Sequence, residues 1–232
     1  MIVLAIDTAL DACSAAVLDT TAGTTIAIES QAMQRGHAEA LMPLIARVMQ
    51  DSGIAFTALD RIAVTTGPGS FTGLRVGLSA ARGIALAAEK PVVGLTTLAA
   101  YAAPVVAENS EHPILSAIDA RHDHVYFQVV GGGGDPLVKP KVAPIAEALE
   151  AAKLGTLHLV GNAAKILAER WPADAAPPFK VDTQPAPDIT WVAWVGAAID
   201  PTTAPPRPFY LRAPDAKPPR NQFQLSAQPS AK

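Results

Sequence analysis

The chain has 232 residues, 50% of them apolar and 17% charged, with a mean hydropathy of +0.24. Such a chain has enough apolar surface to offset its conformational entropy, which excludes a wholly disordered protein, and at ~150 residues per domain it predicts one or two domains. A net charge of −3 and a pI near 5.9 supply no field for phosphodiester backbones, and the single cysteine, Cys13, can close no internal disulfide, so a reducing cytoplasm is the expected setting.

Taken in chain order, Ile2 to Asp7, Cys13 to Leu18 and Thr24 to Ser30 are β-prone runs separated by Asp11 and Gly23, and predict an antiparallel meander. Met1 to Leu10 has no basic n-region and carries Asp7, so it reads as the first strand rather than as a signal peptide. A helix over about Gly36 to Asp51, a strand at Arg61 to Thr65, a helix over about Ser70 to Glu89 and a strand at Pro91 to Gly94 follow. Meander first, then αβ crossovers, predicts a mixed sheet with helices over it, an α/β layer architecture. From about Thr96 to Pro187 the pattern repeats on a smaller scale. It holds a short helix, strands at Ile114 to Asp119, His124 to Val130 and Thr156 to Val160, a helix at about Ala163 to Arg170, and a proline-rich connector. A last helix, about Asp188 to Ile199, carries an apolar stripe of Trp191, Val192, Val195 and Ala198 and is expected to return to the first unit. The expected organisation is an N-terminal domain over 1–100, completed by the helix at about 188–200, and a smaller α/β domain over 101–187. Eight prolines in the last 32 residues predict an extended tail, disordered over 213–232. Arg82, Glu89 and Pro104 interrupt the longest apolar stretches well short of the ~18 residues of a membrane span.

The helices carry a second signal. On a 100° wheel the first places Leu41, Met42, Ile45 and Met49 within an apolar arc of roughly 200°, twice the width of a stripe that faces one core. In the second, Gly73, Gly77, Ala81 and Ala85 recur every four residues and form a low ridge that another helix can approach closely. Either the rest of the chain covers these arcs, or they form a subunit interface, which the adaptable Met42 and Met49 side chains suit.

No complete catalytic constellation emerges. Thr66 to Arg75, TGPGSFTGLR, joins a strand to a helix and presents amides at a helix N-terminus, but lacks the Gly-Lys-Ser/Thr ending of a Walker loop and the glycine spacing of a nucleophile elbow around Ser70. A turn capped by Ser70 or Thr72 accounts for it as well. The Ala9 to Ala12 turn after Asp7-Thr8 is not glycine-rich, which disfavours a nucleotide grip. His122 and His124 have no third ligand placed to complete a metal set and read as part of a charged hairpin turn. His37 has no nucleophile beside it, and Cys13 reads as a small buried hydrophobe.

Six segments, namely Ile2 to Thr8 (IVLAIDT), Arg35 to Ile45 (RGHAEALMPLI), Thr66 to Leu86 (TGPGSFTGLRVGLSAARGIAL), Gly94 to Ala99 (GLTTLA), Ile118 to Tyr126 (IDARHDHVY) and Pro208 to Arg212 (PFYLR), together resemble the bacterial TsaB/YeaZ family. The resemblance implies a two-domain actin-like (ASKHA, RNase H-like) fold without its own catalysis. It implies a cytoplasmic, cofactor-free subunit that pairs with the paralogous threonylcarbamoyltransferase TsaD and works with the ATPase TsaE. The product is N6-threonylcarbamoyladenosine beside the tRNA anticodon, with tRNA met only through the complex and no membrane partner. The arcs carrying Leu41, Met42, Ile45 and Met49, and Gly73, Gly77, Ala81 and Ala85, would form the junction, and the chain alone is left as either a monomer or a homodimer. Rival readings are a nucleotide-binding phosphotransferase of the actin-like superfamily, or a small hydrolase using Ser70 or Cys13.

Overall fold

The computed structural model describes residues 1–212; the tail at 213–232, expected to be disordered, lies outside them. Strands β1 (Ile2–Asp7), β2 (Ala12–Asp19) and β3 (Thr24–Ala32) form the antiparallel meander. The register Leu4↔Val17 and Ile6↔Ala15 sends Leu4, Ile6, Cys13, Ala15 and Val17 to one face, and Val3, Ala5, Ala16 and Leu18 to the other. Helix α1 (His37–Ser52) covers the first face, joined by α2 (Phe71–Ala88). Strands β4 (Arg61–Thr65) and β5 (Val92–Leu95) add in parallel, giving the order β3-β2-β1-β4-β5.

Helix α3 (Thr97–Ala107) leads into a second sheet of β6 (Ile114–Asp119), β7 (His124–Val130), β8 (Pro136–Pro144), β9 (His158–Val160) and β10 (Lys180–Asp182). Its order, β10-β9-β6-β7-β8, is the same plan: three antiparallel strands followed by two parallel ones. Helices α4 (Ile145–Leu149) and α5 (Ala164–Glu169) pack on one face through Ile145, Ala148, Ala164 and Leu167. This duplication of an RNase H-like unit is the actin-like architecture, in an α/β chain with two mixed sheets.

The two units are cross-braced. Although α3 follows the first sheet, its Leu98, Tyr101, Ala102 and Val105 pack on Ile114, Ile118 and Val130 of the second. The last helix, α6 (Ile189–Ala198), does the reverse, burying Ile189, Val192 and Ala193 against Val3, Ala5, Ala63 and Val93. Asp188 caps it by accepting from the Thr190 N–H at 2.8 Å. At its other end Arg61 Nη1 donates to the carbonyl oxygens of Gly196, Ala197 and Ile199 at 2.8, 2.9 and 2.5 Å, groups that a helix C-terminus leaves without partners. Arg61→Met keeps most of the stem but removes these bonds, and should cost about 2 kcal/mol, read as a fall of roughly 6 °C in Tm.

Three elements depart from the sequence expectation. Strand β8 contains Pro136, Pro140 and Pro144 yet pairs with β7, because it is the sheet's edge and its proline nitrogens face no further strand. Helix α4 spans only five residues and β10 only three, too short for periodicity to register.

Candidate functional site

Two regions could carry function: the cleft between the units and the outer side of the α1–α2 layer. The cleft encloses about 400 Å³ and is walled by the Ala9–Asp11 turn, the Pro68–Phe71 loop, the Asp119–Arg121 turn, Asn162 and the strap Phe209–Arg212. At the β6–β7 turn Arg121, His122 and Asp123 hold φ of 61°, 51° and 61°, so this hairpin turn is a left-handed one rather than a metal-ligand pair on a strand. No group of three or more His, Cys, Asp or Glu among the described residues is arranged to hold a metal.

The glycine-rich loop is packed down on the β1–β2 turn instead of cradling an anion. Ser70 N–H donates to the Ala9 carbonyl at 2.7 Å, and a Cβ on Gly69 would lie 2.3 Å from that oxygen. A Cβ on Gly73 would lie 2.1 Å from the Thr8 carbonyl oxygen, and Thr8 Oγ1 donates to the Gly73 carbonyl at 2.7 Å. The Ala9 carbonyl thus takes the Ser70 amide that an anion at this helix start would use. Ser70 serves as the N-cap of α2, accepting from Gly73 N–H at 3.3 Å. Cys13 is fully buried, and burial pushes its thiol up to about 11, which leaves little thiolate. His37, also buried, makes a 3.1 Å hydrogen bond with the Leu10 carbonyl, so it anchors the turn rather than a nucleophile.

Asp7 sits behind this turn, completely buried. Its Oδ1 accepts from Thr65 Oγ1 at 2.5 Å and from Ala9 N–H at 3.0 Å, while Oδ2 has no partner among the described residues. Burial raises its carboxyl above the ordinary range, opposed by the bonds from Thr65 and Ala9 and by nearby His37. An acid whose folded pKa is raised stabilises the fold fully below its unfolded value, near pH 4, and loses that contribution as pH rises through the folded value. Asp7→Asn removes this titration. Urea denaturation of both proteins should therefore show the variant gaining on the wild type between about pH 4 and pH 8; a constant difference across that range would contradict a raised Asp7.

The expected interface residues need correcting. Leu41, Ile45, Met49, Gly73, Gly77, Ala81 and Ala85 are all buried inside the chain, and only Met42, 49% exposed, reaches solvent. The wide arc of α1 is explained by two intramolecular neighbours, the sheet and α2, each covering part of it. The small-residue ridge of α2 faces inward onto β1 and the Thr8 turn rather than outward to another molecule. What remains outside is a shorter apolar strip on each helix: Ala38, Met42 and Ala46 on α1, and Gly83, Leu86 and Ala87 on α2, with Leu86 83% exposed.

Beside α2 runs a feature that periodicity could not reveal. The strap after α6 bonds to the sheet edge through Gly94 N–H to Ala204 O (2.9 Å) and Phe209 N–H to Thr66 O (2.8 Å). Arg82 donates to the Pro206 carbonyl, Tyr210 stacks on Phe71 with centroids 5.4 Å apart, and Arg75 lies 3.8 Å over the Phe71 ring. The strap then reaches the second unit, where Arg212 donates to Ala120 O at 3.3 Å. The PFYLR segment is the sequence signal for it, though it discloses neither the stack nor the bridge.

Comparison with known proteins agrees with this architecture. The sequence model of the family described as "TsaD: tRNA N6-adenosine threonylcarbamoyltransferase" matches residues 25–180. The tRNA threonylcarbamoyladenosine biosynthesis protein TsaB of Escherichia coli is 38% identical over 127 residues, covering 55% of this chain and 54% of that protein. The chain thus spans about half the length of the curated TsaB relatives it matches. An uncharacterized protein of Mycobacterium tuberculosis is 32% identical over 220 residues, 93% of this chain and 94% of its own length. Among solved structures, YeaZ from Pseudomonas aeruginosa superposes with a TM-score of 0.72 at 27% identity, covering 90% of this chain and 99% of that one. The family model matches about two thirds of the chain, which belongs to the family so described, and the TsaB relatives together with the YeaZ structure, superposing over nearly all of it, make it a member of the TsaB/YeaZ group.

Proposed function

We propose that this chain acts in the formation of N6-threonylcarbamoyladenosine in tRNA as a non-catalytic subunit that binds and activates a TsaD-type threonylcarbamoyltransferase. The surface used is the outer side of α1 and α2, centred on Met42 and Leu86, with the seven buried small and aliphatic residues setting the helices' positions from inside. The observation that carries this reading is the exposure of Leu86, 83%, on a helix otherwise anchored firmly to its sheet. It is supported by a glycine-rich loop whose Ser70 amide is already taken by the Ala9 carbonyl, and by a cysteine and a serine that both have structural tasks, which weakens the phosphotransferase and hydrolase readings. Activation then follows from differential binding: the enzyme's active conformation is favoured to the extent that this subunit binds it more tightly. The ATPase TsaE joins the same assembly, tRNA is met through the complex, and the free chain pairs with itself through the same strip. The setting is the cytoplasm; among the described residues no helix is long and apolar enough to cross a membrane.

The test is reconstitution. Mixed with a purified TsaD-type enzyme, the chain should co-elute as a stable complex and raise threonylcarbamoyl transfer to tRNA, while showing no ATP hydrolysis alone. An enzyme equally active without the chain, or hydrolysis by the chain by itself, would overturn the assignment.

A further inference from the structure

The two cross-bracing helices share an unusual composition. Thr97 to Ala107 and Ile189 to Ala198 contain no Asp, Glu, Lys, Arg or His, so each is apolar on its outward side as well as its inward one. Where they run past each other they leave a groove of about 330 Å³, walled by Ala99, Ala103 and Val106 of α3 and Trp191, Trp194 and Val195 of α6. That volume lies at the lower end of the range for small-molecule sites, ~300–1,000 Å³. No residue lining it is charged, so an ionised ligand would lose its hydration without a counter-charge.

One lining residue is out of place. Gln128 of β7 also borders the groove, is only 6% exposed, and its amide makes no hydrogen bond among the described residues. Its cross-strand neighbour on the same face, Ser116, is fully buried and its Oγ has no partner there either. Ser116 Oγ is closed off from solvent, whereas the Gln128 amide opens onto the groove, where the polar end of a bound molecule can pair with it. A groove of about 330 Å³ fits a compact molecule, whose polar end can meet that amide.

We propose that the groove between α3 and α6 is a binding site for a neutral, largely apolar small molecule whose single hydrogen-bonding head, an amide, carbonyl or hydroxyl, pairs with Gln128. The hydrocarbon body lies against the indoles of Trp191 and Trp194. The site is separate from the α1–α2 strip, and the proposal stands whether or not that strip binds an enzyme.

The experiment uses the full chain and three probes of one shape, 4-butylbenzamide, 4-butylbenzoate and 4-butyltoluene, followed by calorimetry and by the indole N–H signals of Trp191 and Trp194. The amide should bind with Kd on the order of 0.1 mM, moving both indole signals, and the carboxylate at least tenfold more weakly. Gln128→Leu should lower the affinity of the amide about tenfold while leaving that of butyltoluene unchanged or improved. Ala103→Phe, at a half-exposed position on the rim, should plug the groove, abolish binding of all three probes and preserve Tm. The proposal is overturned if the amide fails to bind at 1 mM, or if both variants bind it as the wild type does. It is equally overturned if the indole signals move with protein concentration alone and sedimentation shows a dimer that Ala103→Phe dissolves, since the groove then belongs to a second copy.

Discussion

Leu86→Glu should weaken association with a TsaD-type threonylcarbamoyltransferase by about a hundredfold, and the double variant with Met42→Glu by more, while the Tm of the free chain changes by less than about 2 °C. The size follows from burying a carboxylate where an apolar anchor sat: a central interface residue is worth ~2–4 kcal/mol, and an unpaired buried charge adds to the loss. The small effect on the free chain follows from Leu86 being 83% exposed, so that it contributes little to this molecule's own core. Association measured by calorimetry and tRNA modification measured by nucleoside analysis should fall together. Variants that bind and activate normally would remove the α1–α2 strip from the proposal, whatever the family of the chain.

The contrast between Leu86 and its helix-mates shows where sequence reading reached its limit. The apolar, β-prone run Ile2–Asp7 and the break at Asp11 make the first meander legible, because β1 and β2 bury both faces between helix layers and the turns carry recognisable residues. The start of α2 is legible for the same local reason, as a cap by Ser70 or Thr72, of which Ser70 serves. Helical periodicity tells which side of a helix is apolar but not how many neighbours share that side. The arc of Leu41, Ile45 and Met49 therefore looks too wide for one sheet, whereas α1 is wedged between a sheet and α2. Nor does spacing alone orient a small-residue ridge: Gly73 and Gly77 let a neighbour come close, and that neighbour is Thr8 of the same chain. The GPGSFTG segment is likewise legible as a strand-to-helix loop. That its Ser70 amide bonds to the Ala9 carbonyl depends on two segments some sixty residues apart, which no local pattern encodes. The strap 204–212 belongs to the same class, since its anchoring is a set of long-range backbone bonds made by proline-rich chain.

The inward orientation of the ridge has a consequence that separates packing from partnership. Gly73→Ala places a methyl group 2.1 Å from the Thr8 carbonyl oxygen, a backbone atom that cannot swing aside, so α2 must lift from β1 or the turn must distort. Overpacking of this kind should cost about 3 kcal/mol, a fall of roughly 9 °C in Tm, and would also break the 2.7 Å bond from Thr8 Oγ1 to the Gly73 carbonyl. Gly77→Leu is worse placed as an interface probe than its spacing suggests, because its Cβ would lie 2.4 Å from Thr8 Oγ1; lost assembly in that variant would report a damaged fold. Gly83 is the control on the same helix. A Cβ there meets nothing within 4 Å, so Gly83→Ala should raise stability by about 0.5–1 kcal/mol through helix propensity alone. Opposite signs at positions 73 and 83, read by thermal denaturation, would establish that the small residues of α2 serve two different ends. A stability unchanged by Gly73→Ala would mean that the ridge is not seated on β1, and the inner and outer faces of α2 would have to be exchanged.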